Sequence, residues 1–114
     1  MLSGALGEFA MDGEFDLVRA ILDVFLNDTQ EKIESLQKAL CAQDLAGIRR
    51  TAHSLKGAAM QVGLVRFAGG AELLERSSEQ IDIATFSAFV LQLVDYWREA
   101  KQSVIDTRDS IPPQ

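Results

Sequence analysis

The 114-residue sequence predicts an all-α domain, an antiparallel up-down four-helix bundle. Two observations carry that prediction. Apolar residues recur at alternating steps of four and three along most of the chain, the spacing of helices with one buried stripe each. The two prolines, Pro112 and Pro113, sit together near the end, so nothing earlier is barred from helix. No stretch shows the clean two-residue alternation of a half-buried strand.

The first helix is expected from Glu14 to Ala42, with Val18, Leu22, Phe25, Thr29, Ile33, Leu36 and Leu40 as its stripe. Asp12 and Gly13 form its entry, and a short extra amphipathic helix around Leu2 to Met11 is expected across one end. Asp44 caps the second helix, Leu45 to Val62, whose stripe is Ile48, Ala52, Leu55, Ala59 and Val62. Gly63 stops it, as a glycine just past the last periodic residue commonly does. The third helix runs from Leu64 to Gln80, with Phe67, Ala71 and Leu74 inward. Gly69 and Gly70 lie inside it, where each costs about 1 kcal/mol against alanine; they allow close helix packing or mark a break. The fourth follows Asp82 on Phe86, Val90, Leu93, Trp97, Ala100 and Val104.

Four helices joined by short connections lie antiparallel. The expected organisation is an N-terminal lead over residues 1–13, the bundle over 14–107 and a polar, proline-ended, frayed tail over 108–114. One core is all that a chain of this length buries, and it is large enough to need no metal or disulfide staple.

Composition narrows the function classes. Eleven basic residues against 17 acidic give a net charge of −6, which argues against nucleic acid and against anionic lipid as partners. The single cysteine, Cys41, excludes an internal disulfide and fits a reducing compartment. No apolar run approaches the roughly 20 residues of a membrane span, and the start lacks the pattern of a signal peptide. A cytoplasmic setting is the expectation.

The one histidine, His53, can be placed on its helix. At about 100° per residue it lies about 140° from the centre of the buried stripe, on the solvent side. Arg49, Lys56, Gly57 and Met60 lie one or two turns away on the same side or its flank, with Arg50 just beyond. A neutral imidazole is a competent nucleophile near neutral pH. Once phosphorylated it would carry roughly −1.5 to −2 charge and need a cation nearby. Lys56, at i+3, can reach it, for about 1–3 kcal/mol before screening. Gly57, at i+4, leaves space beside the imidazole for another protein's active site.

The run Ala52-His53-Ser54-Leu55-Lys56-Gly57-Ala58-Ala59, with Val62 and Gly63, resembles the motif of the histidine-containing phosphotransfer family. Phe25-Leu26, Leu36 to Leu40, Asp44, Ile48 and Leu73-Leu74-Glu75 extend the likeness over about Glu14 to Val104. It implies a phosphorelay intermediate in two-component signalling. His53 would take a phosphoryl group from a receiver-domain aspartate and pass it reversibly to another receiver. Lys56 would be its electrostatic partner and Gly57 the clearance position. Arg49, Arg50, Met60 and Leu64 are candidate partner-binding residues. The implied partners are response-regulator receiver domains and a hybrid sensor kinase, and the chain is expected to be a monomer. It would be a carrier without ATP-dependent kinase activity, with no cofactor of its own and Mg²⁺ on the receiver. The Gly69-Gly70 pair departs from the helix-favouring residues expected there. Gln61 and Glu75 are polar neighbours to which the motif gives no role.

Other classes fit poorly. A carboxylate-bridged metal bundle needs Glu-x-x-His pairs, but Arg50 stands three before His53 and there is no second histidine. A hydrolase using Cys41 and His53 lacks a nucleophile motif. The serious alternative is a non-catalytic docking module on the same bundle, binding a receiver or other signalling protein without carrying phosphate.

Overall fold

Asp44 ends the first connection by accepting from Gly47 N at 3.0 Å, which starts the second helix where the sequence predicts. The structure is a computed structural model that describes residues 15–77 and 82–112. Those residues form α1 (Phe15–Cys41), α2 (Leu45–Gln61), α3 (Val65–Ser77) and α4 (Ile83–Ser110). The expected entry at Asp12-Gly13, the lead helix at Leu2 to Met11 and the third helix's predicted end at Gln80 lie outside the described residues.

Each helix packs on its neighbours in chain order and α4 closes against α1, while the backbones of the diagonal pairs stay apart. The bundle is therefore up-down and antiparallel, as four helices on short connections require. The predicted stripes face its centre: Val18, Leu22, Leu36, Ile48, Ala52, Leu55, Leu74, Val90 and Val104 are inaccessible to solvent. Each large apolar side chain buried this way contributes roughly 1.5–3 kcal/mol. Trp97 ties three helices together. Its ring meets Phe25 edge-on at 6.0 Å and Phe67 at 5.6 Å, and its Nε1–H donates to Gln30 Oε1 at 2.9 Å.

The tail departs from expectation. α4 continues to Ser110 rather than ending at residue 107. Arg108 Nη1 reaches Asp23 on α1 at 2.9 Å, and Arg19 Nη2 donates to the carbonyls of Ile111 and Pro112 at 3.1 and 2.8 Å. Side chains of α1 thus hold both the last turn of α4 and the two residues that follow it. These contacts join residues about 90 apart, beyond the reach of a periodicity argument.

The glycine pair does not break α3. A Cβ on Gly70 would lie 3.0 Å from Leu93 Cδ1 and 3.1 Å from Tyr96 Cδ2, so this glycine lets α3 approach α4 closely. A Cβ on Gly69 would meet nothing within 4 Å.

Candidate functional site

The site depends on the turn between α2 and α3. Gly63 takes a φ of 79°, the left-handed conformation that glycine adopts without strain. Leu64 N then donates to Ala59 O at 2.9 Å and closes the helix end in the Schellman manner. The chain reverses there, and α3 runs back along α2. His53 lies ten residues before Gly63 and Glu75 twelve after it, so the two meet across the helix pair.

His53 stands on the solvent face, with 69% of its side chain exposed, while Ala52 and Leu55 beside it are fully buried. Its Nδ1 is 2.7 Å from Glu75 Oε1. The other carboxylate oxygen of Glu75 is 3.2 Å from Lys56 Nζ. Glu75 and Lys56 are about three-quarters covered, at 25% and 27% exposure, so their charges act in a setting less screened than open water. Burial alone would push the Glu75 carboxyl up. The hydrogen bonds from His53 and Lys56, with the electrostatic attraction of both groups, outweigh it and hold the carboxyl below its usual range.

An ionised carboxylate only accepts hydrogen bonds. Nδ1 of His53 therefore donates to Glu75, which fixes the neutral ring as the Nδ1–H tautomer and leaves the lone pair on Nε2. The arrangement is a nucleophilic nitrogen on an exposed ring, held in orientation from behind by a carboxylate that a lysine also engages.

The other predicted residues divide. A Cβ on Gly57 would meet nothing within 4 Å, so the space beside the imidazole is open as expected. Arg49 and Arg50 precede His53 by one turn, half-buried and exposed respectively, and Met60 is 65% exposed two turns beyond. Leu64 does not join them. It packs against the core, and it lines a separate groove with Phe67 and Tyr96. It stands directly after Gly63, in the turn that follows α2, and is half-buried. Gln61 is exposed at the last position of α2, about 12 Å along the axis from His53, and takes no part in the cluster. Among the described residues no group of three or more His, Cys, Asp or Glu is placed to hold a metal. No helix is long and apolar enough to cross a membrane, again among the described residues.

Glu75 is the residue to which sequence reasoning gave no role. Its signal was present, as an acidic residue in the run Leu73-Leu74-Glu75. Selecting it requires the register of α3 against α2, which the helical period does not contain.

The structure is thus a four-helix bundle with a histidine exposed on one helix, backed by a carboxylate and a lysine. A sequence model of the Hpt domain matches residues 20–103. The chain belongs to the Hpt domain family, and is a histidine phosphotransfer intermediate of the two-component phosphorelay. Among solved structures it is similar to histidine-containing phosphotransfer protein B of Pseudomonas aeruginosa PAO1. That likeness has a TM-score of 0.82 at 28% identity, and covers 95% of this chain and 94% of that one. The HPT domain of an Hpt sensor hybrid histidine kinase from Shewanella shares the fold, with a TM-score of 0.78 at 21% identity over 98% and 97% of the two chains. No curated protein sequence matches the chain.

Proposed function

We propose that His53 carries the phosphoryl group through Nε2, with Glu75 and Lys56 as its supporting pair. A receiver domain phosphorylated on aspartate docks on the face of α2. The Nε2 lone pair attacks phosphorus in line. The N–P bond forms as the P–O bond to the aspartate breaks, and the bonding pair leaves on the aspartate carboxylate. No proton has to depart, because Nδ1 keeps its hydrogen throughout. The positive charge that develops on the ring is balanced by the Glu75 carboxylate behind it. Lys56, at i+3 and close to Glu75, offers the cation for the phosphoryl oxygens. The reverse step hands the group to a second receiver through the same atoms.

The observation that carries this reading is the 2.7 Å contact from His53 Nδ1 to Glu75, because a carboxylate there favours the hydrogen on Nδ1 and leaves Nε2 as the nitrogen to react. Gly57 gives clearance; Arg49, Arg50 and Met60 contribute to docking. Mg²⁺ belongs to the receiver, and this chain takes no cofactor of its own and no phosphate from ATP. The upstream partner is a hybrid sensor kinase or its receiver. The reading includes a cytoplasmic monomer, and the net charge of −6 supports its engaging neither nucleic acid nor anionic membrane.

The test is transfer from a panel of pre-phosphorylated receivers to wild type and to His53→Gln. Label on wild type alone, lost in acid and kept in base, is the expected result. Binding of a receiver with no label on wild type would instead make the chain a docking module.

A further inference from the structure

Gly69 and Gly70 are neighbours in α3 with opposite surroundings. The contacts that a Cβ would make with Leu93 and Tyr96 explain Gly70. Among the described residues nothing meets a side chain placed at Gly69, which would enter open space. A glycine in the middle of a helix destabilises it relative to alanine, so an offsetting gain from Gly69 has to come from a contact that the described residues do not make.

The space it leaves open belongs to a groove of about 480 Å³ between α2 and α3. Gly69 and Ala68 line the groove together with Lys56, Met60, Val65 and Glu72. Met60 is 65% exposed and Val65 is 81% exposed, an apolar pair offered to solvent on both helices. Lys56 lines the groove and also pairs with Glu75, so the groove begins where the histidine cluster ends. Gly69 is six residues from Glu75, or about 9 Å along α3. A standard interface covers about 800 Å² per partner, a footprint that takes in both His53 and the groove.

We propose that this groove seats an apolar side chain of the receiver domain while the receiver's phosphoaspartate reaches His53, and that Gly69 determines which receivers fit. The proposal rests on the phosphotransfer reading above. Two observations favour a receiver over a second copy of this chain. The groove is continuous with the reacting histidine. Arg49, Arg50 and Lys56 surround that histidine in a chain of charge −6, which complements an anionic phosphoaspartate site. Two copies meeting through this face would set like charges against each other.

The test compares wild type, Gly69→Ala and Gly69→Leu in transfer from phosphorylated receivers, with rates taken as a function of receiver concentration. Thermal melts accompany them; both variants should melt no lower than wild type, because their side chains enter open space and favour helix. With the best receiver, Gly69→Leu should raise the half-saturating concentration about tenfold or more while the plateau rate recovers, and Gly69→Ala should raise it about two- to threefold. An unchanged half-saturating concentration in Gly69→Leu, for every receiver that labels wild type, overturns the proposal alone. A wild type that forms dimers which Gly69→Leu disrupts assigns the groove to a second copy and overturns it too. A wild type that takes label from no receiver removes the underlying reading and this proposal with it.

Discussion

Glu75 accepts a hydrogen bond from His53 with one carboxylate oxygen and lies within ion-pair distance of Lys56 with the other, across 22 residues of sequence. One side chain on α3 therefore engages both the ring on α2 and the lysine one turn along from it.

Removing that carboxylate should change chemistry more than stability. Glu75→Ala is expected to slow phosphoryl transfer by about 100- to 1000-fold, the usual scale for losing one group aimed at developing charge. Its Tm should fall only by the modest share that the ionised carboxylate contributes, because Glu75 is outside the apolar core. Nitrogen-detected NMR of the imidazole gives a second readout. The Nδ1–H tautomer should dominate in wild type and give way to a mixture in the variant. A variant with wild-type tautomer populations would remove Glu75 from the mechanism.

Lys56→Ala should slow transfer about tenfold, in line with about 1–3 kcal/mol for a partly screened charge pair. The fold should hold, since Lys56 contributes to no core contact. The same variant should show a weaker dependence of rate on added salt. Quenched-flow transfer at two ionic strengths measures both effects together.

The Glu75 carboxyl titrates below its ordinary value of 4.5 in the folded protein. A depressed carboxyl contributes stability that is fully present above the unfolded value, and loses it as pH falls through the folded one. Wild type should thus be more stable than Glu75→Gln near pH 6, and the gap should close as pH drops below 4.5. Thermal melts of both proteins from about pH 6 to about pH 3 test this; a gap that stays constant would contradict it.

Alanine at the two central glycines should act with opposite signs. Gly69→Ala is expected to stabilise by up to about 1 kcal/mol, because helix propensity is the main quantity that changes. Gly70→Ala gains the same propensity but drives a methyl against Leu93, which is 1% exposed, and the Tyr96 ring. Overpacking of this kind costs about 1–3 kcal/mol, so a net loss is expected. Urea unfolding of the pair gives the comparison directly.

The helices and their buried faces were legible in the sequence because burial imprints a period on each segment alone. Val18, Leu22, Leu36, Leu55 and Val104 needed no knowledge of any partner helix. His53 was legible for the same reason, as a position well out of phase with its stripe. What escaped depends on how segments sit against each other. Glu75 meets His53 only because the turn at Gly63 sets the register of α3. Gly69 and Gly70 look identical in sequence and part only when α4 is placed. The end of α4 is tied to α1 by Arg108 on Asp23, and Arg19 on the first helix holds the carbonyls of Ile111 and Pro112 just past it.

The chain has a single histidine, open on one flank. On the proposed chemistry, donor and acceptor need the same flank, so they must take turns and no ternary complex forms. The carrier then works as a turnstile: each visitor leaves before the next enters. An idle acceptor in excess would block loading by its own presence. The ratio of the two receivers in the cell, beyond the affinity of either, would therefore set the speed and direction of signal flow.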